Sequence, residues 1–222
     1  MDNAKAICSA MQTFHEIVRI LMNVIEKATI LFYHRERISS FGKGSVLSLG
    51  WKESESQKRR FQVLKNQWNL NGASILDLGC GYGDLKGYLD RHFSDFHYTG
   101  IDLQPEFIEE AERRYGHLPH THFFQTDFSS VDFPRVDYVF ASGALSYQCC
   151  NNHFIFEMIS KMYLASNRGV LFNLLDNSVF PEHPILAGRD VGKVEAFCRS
   201  LCGKVKVIKG YQEGDVSLCM ER

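Results

Sequence analysis

Apolar positions follow two rhythms along this chain. Residues 3–38 contain no Gly or Pro. There Ile7, Met11, Phe14, Val18, Leu21 and Ile25 recur at helical spacing, which predicts one or two amphipathic helices. Residues 40–48, with Gly42 and Gly44, read as a loop. Ser54 is expected to cap a second helix through Phe61 and Leu64 to about Trp68, and Asn71-Gly72 marks a turn. From Ser74 the rhythm changes. Short apolar runs at 74–79, 97–102, 121–125, 136–141 and 169–175 alternate with helical stretches at 84–93, 104–115 and 151–165. The runs are apolar nearly throughout, as strands are when helices cover both faces of a parallel sheet. The end differs: a helix at 190–202 leads to strands at 204–210 and 215–220, joined through Glu213-Gly214. Strands with so short a connection must be antiparallel. The expectation is a doubly wound, mostly parallel seven-stranded α/β sheet with an antiparallel C-terminal strand. A helical extension over residues 1–70 precedes this domain, which spans 71–222.

Composition narrows the classes of function. The length of 222 residues suits one domain with an added terminal element. A net charge of −1 gives the whole molecule no bias toward nucleic acid or anionic membrane. The seven cysteines are odd in number. Cys149 and Cys150 are adjacent, and Cys198 and Cys202 lie one helical turn apart without a second pair at zinc spacing. They read as reduced thiols of a cytoplasmic protein. The apolar stretch 17–32 is broken by Arg19, Glu26 and Lys27, so no membrane span is expected, and no secretory signal is recognised. His117, His120 and His122 lie close together without a carboxylate or thiolate in register, and no metal site is expected. His15 and His153 read as surface residues.

Four strand ends carry the chemistry. The first is Ile75-Leu76-Asp77-Leu78-Gly79-Cys80-Gly81-Tyr82-Gly83-Asp84-Leu85, a buried strand running into a loop with glycine at every second position and then into a helix. Such a loop lets the backbone turn sharply and approach a ligand closely. It sits where open α/β sheets bind ligands. A dinucleotide fingerprint G-x-G-x-x-G would need glycine where Asp84 stands, and no lysine follows as in a phosphate-binding P-loop. The acidic strand end at Asp77 suits a cationic, phosphate-free ligand. The second is Tyr98-Thr99-Gly100-Ile101-Asp102-Leu103. Asp102 can accept both hydroxyls of a ribose, or else cap the helix opening at Pro105. The third is Gln125-Thr126-Asp127-Phe128, where Asp127 can accept from an adenine amino group and Phe128 can cover the ring; a turn is the plainer alternative. The fourth, Val136-Asp137-Tyr138-Val139-Phe140-Ala141-Ser142-Gly143, ends in small residues that leave room beside the sheet.

In this order and spacing the four elements resemble the class I S-adenosylmethionine (SAM)-dependent methyltransferases, and the resemblance covers residues 74–222. It implies SAM as cofactor, with contacts at Asp77, Gly79, Cys80, Gly81, Asp102, Leu103, Asp127, Phe128 and Ala141. The stretch from Gly50 to Phe61 is similar to segments of small bacterial methyltransferases of uncertain substrate. No Asn-Pro-Pro-Tyr type motif follows the fourth strand, where base-amino methyltransferases carry one, and Cys149-Cys150 lacks the preceding Pro of the cytosine-C5 nucleophile.

The reaction class then expected is in-line methyl transfer to a small-molecule O or N acceptor. An RNA or protein acceptor, a SAM-consuming lyase or cyclase, and a SAM-binding regulatory module are the alternatives. Nucleic acid is not the expected partner. Residues 30–61 and 176–190 are the acceptor-facing segments, offering Tyr33, Trp51, Gln57 and Arg60 from the first and Asn173, Asp176, Phe180, His183 and Arg189 from around the second. Tyr33, Trp51 and Arg60 are expected to belong to a lid, hinged at residues 42–50, with Arg60 pinning the SAM carboxylate. The plainer alternative packs Trp51 and Phe61 against the N-terminal helix and leaves Arg60 solvated. Tyr147, His183 and Asp176 are candidates for a catalytic base, none of them marked out by sequence. A homodimer through the N-terminal helices is a further expectation.

Overall fold

The computed structural model describes residues 24–222. The stripe from Ile7 to Leu21 lies outside the described residues. The elements are α1 (24–41), α2 (Ser54–Lys65), β1 (Ser74–Leu78), α3 (Asp84–Leu89), β2 (His97–Asp102), α4 (Pro105–Tyr115), β3 (Thr121–Gln125) and β4 (Val136–Ala141). A 3-10 turn (Ala144–Ser146) follows, then α5 (Phe154–Ala165), β5 (Ser166–Asp176), β6 (Gly188–Arg189), α6 (Val191–Leu201), β7 (Lys204–Ile208) and β8 (Asp215–Glu221).

The strands form one sheet in the order β3-β2-β1-β4-β5-β8-β7, with the two-residue β6 paired to β5 as an eighth. All pairings through β5 are parallel, whereas β8 runs antiparallel to both β5 and β7. This is the doubly wound sheet that the alternating apolar runs imply, with β6 as the addition. Side chains of successive strand residues point to opposite faces. Leu76, Val139, Val170 and Phe172 therefore pack with Ile155, Ile159 and Met162 of α5 and Val194 and Cys198 of α6. Ile75, Tyr138, Phe140 and Leu171 face the other way, against Phe61 and Leu64 of α2, Leu85 and Leu89 of α3 and Ala111 of α4.

Local chemistry moves several boundaries. Ser54 is the first residue of α2 and not its cap: Glu53 holds the cap position, and Ser56 Oγ donates to the Glu53 carbonyl at 2.8 Å. The helix expected from residue 151 begins at Phe154, because the Asn151 side chain accepts from His153 N at 2.9 Å in a turn ahead of it. β5 extends to Asp176, where it pairs with Arg189 of β6. The strand order reverses between β1 and β4, and the crevice at such a reversal is where open α/β sheets hold ligands.

Candidate functional site

A cavity of about 880 Å³ opens at the carboxyl ends of β1, β2 and β4, under α1. Its volume lies in the range of small-molecule sites. Asp77, buried near the end of β1, accepts a hydrogen bond from the Tyr98 hydroxyl at 2.5 Å. Burial pushes its carboxyl up to about 7; the Tyr98 bond opposes this and the charge of Asp102 adds to it. Asp102 takes Gly81 N and Gln104 N on its two oxygens, each at 2.9 Å. Burial raises it to about 6 against these backbone donors. Gln104, not Asp102, occupies the cap position of α4.

The glycine loop is shaped by its neighbours. Gly79 and Gly81 have φ of 70° and 54°, in the left-handed region that favours glycine. A Cβ at Gly79 would lie 2.5 Å from that of Ala144, and one at Gly81 would lie 2.8 Å from Leu49 Cδ2. Gly79, Cys80, Gly81 and Leu103 line the cavity beside Asp77 and Asp102. Asp84 is outside its lining and bonds Arg114 Nη1 at 2.9 Å and Gln57 Nε2 at 3.1 Å. Its charge is thus met by Arg114 and does not face the cavity.

The adenine-end candidates also line it. Asp127 Oδ1 accepts from Ser129 N and Oγ at 2.9 and 2.6 Å, and its other oxygen pairs with Lys27 of α1. Phe128 lies alongside. Ala141 is buried beneath the cavity rather than lining it; Ser142 and Gly143, the next two residues, take that place. Gly143 N donates to Asn173 Oδ1 at 2.6 Å, and Asn173 Nδ2 donates to Asp215 Oδ1 at 2.7 Å. Arg60 pairs with Asp215 and lies 4.3 Å over the Trp51 ring. Its side chain is only 10% exposed, so the solvated alternative does not hold. Arg60 Nε has no protein partner.

Three sequence-derived base candidates separate cleanly. Tyr147 lines the cavity; Asp176 and His183 do not. Asp176 instead closes a turn, accepting from Ser178 N and Oγ at 3.0 and 2.7 Å. His183 Nδ1 accepts from Ile185 N and Leu186 N, both at 3.1 Å. The expected hinge at 42–50 is tied down. Arg37 donates to Leu47 O at 2.7 Å, Arg114 to Gly44 O at 3.0 Å, and Ser48 Oγ lies 2.8 Å from the Tyr82 hydroxyl.

His34 was not singled out by sequence. It is buried in α1, lines the cavity, and places Nε2 2.6 Å from the Tyr147 hydroxyl. Its Nδ1 lies 3.0 Å from the Ser48 carbonyl. A carbonyl can only accept, so Nδ1 carries the proton and Nε2 accepts from Tyr147. Burial drives His34 down to about 4, keeping it neutral near pH 7. Tyr33, from the same helix, faces the cavity too. Ser142, from the small-residue end of β4, has a buried hydroxyl lacking a protein partner; Gln104 and Ser146 are further lining residues with such an oxygen, and these two the sequence left unmarked. No signal local to these positions identifies them. Among the described residues no group of acidic, His or Cys side chains could hold a metal, and no helix is long and apolar enough to cross a membrane.

Comparison with known proteins agrees with this geometry. A family model described as a methyltransferase domain matches residues 75–167. A Mycobacterium tuberculosis protein named "Putative methyltransferase Rv1506c" is 34% identical over 110 residues, covering 46% of this chain and 63% of that protein. Trans-aconitate 2-methyltransferase of Sinorhizobium medicae is 24% identical over 152 residues, covering 68% and 57%. The chain thus spans less than two thirds of the length of either relative. Magnesium protoporphyrin IX methyltransferase from Synechocystis, solved with bound SAM, shares the fold with a TM-score of 0.61 at 16% identity, over 89% of this chain and 97% of that one. Residues 75–167 thus match a methyltransferase domain, and the sheet order is the fold of the SAM-dependent methyltransferases.

Proposed function

We propose that this chain binds SAM in the cavity and transfers its methyl group to a small-molecule acceptor. The observation that carries the reading is a pair of carboxylates, the buried Asp77 and the half-buried Asp102, flanking a glycine loop in a cavity partly walled by α1. The residues fit the cofactor. Asp102 presents a two-oxygen acceptor to a ribose diol, and Asp77 places negative charge near a ligand that carries an ammonium and a sulfonium. Lys27 and Asp127, with Phe128, bound the adenine side. Arg60, with its free Nε, is the candidate for the carboxylate.

When bound, SAM supplies an activated methyl on a good leaving group. The chain's task is then alignment, which can contribute about 7–11 kcal/mol. Residues 24–70 supply one wall through Tyr33, His34, Trp51 and Arg60, and therefore act as the acceptor-facing unit in front of the SAM-binding domain. The test is calorimetry with SAM, S-adenosylhomocysteine and NAD, followed by mass spectrometry of SAM incubated with protein and a metabolite extract. The first two ligands should bind, NAD should not, and ions heavier by one methylene should appear. A SAM-derived product formed without any acceptor would instead identify a lyase or cyclase.

A further inference from the structure

We propose that Tyr147 and His34 form a relay that removes the proton of an uncharged hydroxyl, so that the methyl acceptor is an alcohol or phenol and not a carboxylate. The inference rests on the SAM-dependent reading above and deepens it.

The first support is the direction of the hydrogen bonds. His34 is fixed by the Ser48 carbonyl on one nitrogen and receives the Tyr147 hydroxyl on the other. Tyr147 has therefore spent its proton on His34 and keeps lone pairs for a donor. Both residues line the cavity, so a hydroxyl there can donate to Tyr147 and complete a chain running one way. Each end is held. Arg189 donates to the Tyr147 carbonyl at 3.0 Å, Tyr147 bridges to Leu186, and the Phe107 ring lies edge-on to His34 at 4.9 Å. The charged and titratable groups bearing on the pair are Tyr33 and Arg37 of α1 and Asp102 of β2.

The second support is the cation inventory of the lining. Lys27 is paired with Asp127 and Arg60 with Asp215, while Lys52 lies exposed. Among the described lining residues no buried cation is left over for an acceptor carboxylate, and a carboxylate would need no base. Ile30, Phe154, Phe180 and Leu186 give the cavity apolar wall instead.

The charge balance offsets the burial that otherwise holds His34 neutral. Attack by the acceptor oxygen forms the O–C bond as the methyl–sulfur bond breaks, and that electron pair stays on sulfur as the thioether. The acceptor proton passes to Tyr147 Oη, and the proton already on Oη passes to His34 Nε2. The cavity loses a positive charge at sulfur and gains one at the imidazole, so its net charge is unchanged. His34 returns the proton to water after product leaves. Tyr147 is the catalytic residue here, and His34, acting through it, is the positioning residue.

The test uses the whole chain, methyl-tritiated SAM, and a panel of phenol, benzyl alcohol, 4-nitrophenol and benzoate. SAM binding is followed separately by calorimetry, and His34 by 15N NMR. Label should enter the hydroxyl compounds and not benzoate. Tyr147→Phe should still bind SAM but lose about 10²–10⁴-fold in transfer to phenol. 4-Nitrophenol, largely ionised at pH 8, should lose far less, because it arrives without the proton. His34→Gln should show the same selective rescue. NMR should find Nδ1 protonated and Nε2 bare, with the Nε2 signal moving in Tyr147→Phe. Label in benzoate alone, no label in any hydroxyl compound although SAM binds, equal losses for phenol and 4-nitrophenol, or a protonated Nε2 would each overturn the relay. Failure of SAM to bind would instead overturn the underlying reading.

Discussion

Asp77 and Asp102 are two carboxylates in one wall of the cavity, and neither pairs with a cation among the described residues. Burial is the main cause of their raised values, about 7 and about 6. A bound cation should pull both down, so binding is linked to their ionisation. SAM affinity is expected to rise about tenfold between pH 5.5 and pH 8, measured by calorimetry at constant ionic strength. The free protein should behave oppositely. Its carboxyls hold protons in the folded state at pH values where unfolded carboxyls, near 3.8, have lost them. Their contribution to stability therefore falls as pH rises from about 4 through about 7. The melting-temperature gain on adding SAM should accordingly be larger at pH 8 than at pH 5.5, and a gain independent of pH would remove the two carboxylates from the cofactor's surroundings. Asp102→Ala should weaken SAM binding by about 1.5–3 kcal/mol for each charge-assisted hydrogen bond lost, with normal binding as the result that would reduce Asp102 to a support for the glycine loop.

At the scale of elements, α1 is joined to the domain by contacts from several of its turns. Lys27 meets Asp127, Arg35 Nε meets Glu106 at 3.1 Å, Glu26 accepts from Cys150 N at 2.5 Å, and His34 meets Tyr147. The two ion pairs are partly exposed and each is worth little to global stability. They matter more for holding the wall in place. The double variant Lys27→Glu/Arg35→Glu sets like charges opposite Asp127 and Glu106. It is expected to speed SAM dissociation several-fold in stopped-flow measurements while moving the melting temperature only slightly; an unchanged dissociation rate would argue that α1 does not cover the cofactor. How much of this the sequence disclosed depends on the element. The β1, β2 and β4 strand ends were legible because a carboxylate or small residue stands at or near the carboxyl end of a mostly apolar run. Tyr33 and Trp51 could be proposed from residue type alone. His34 could not, since its partner lies 113 residues away and the helix around it has no motif. Asp176 and His183 misled for the reverse reason: polar residues beyond a strand end serve turns as readily as sites, and only the paths of the loops decide.

Over the whole molecule, β8 lies between β5 and β7, so the last strand begins beside the site. Asp215, its first residue, is 2% exposed. It joins Arg60 of α2 to Asn173 of β5, and through Asn173 to the Gly143 amide after β4. Burial raises its carboxyl above the ordinary value, and the pair with Arg60 and the bond from Asn173 oppose that rise. Breaking such a pair from one side leaves the other charge buried and uncompensated, which typically costs about 3–5 kcal/mol. Asp215→Ala should therefore shift the denaturant midpoint strongly. Arg60→Leu should cost less than Asp215→Ala, because Asp215 can take up a proton and keep its bond to Asn173. The double variant Asp215→Ala/Arg60→Leu should be more stable than Asp215→Ala alone, since the stranded guanidinium is gone. With the unaltered protein, these three variants form a thermodynamic cycle. A double variant whose loss equals the sum of the single losses would mean that the pair carries no coupling, and that the C-terminal strand reaches the cavity wall by packing alone.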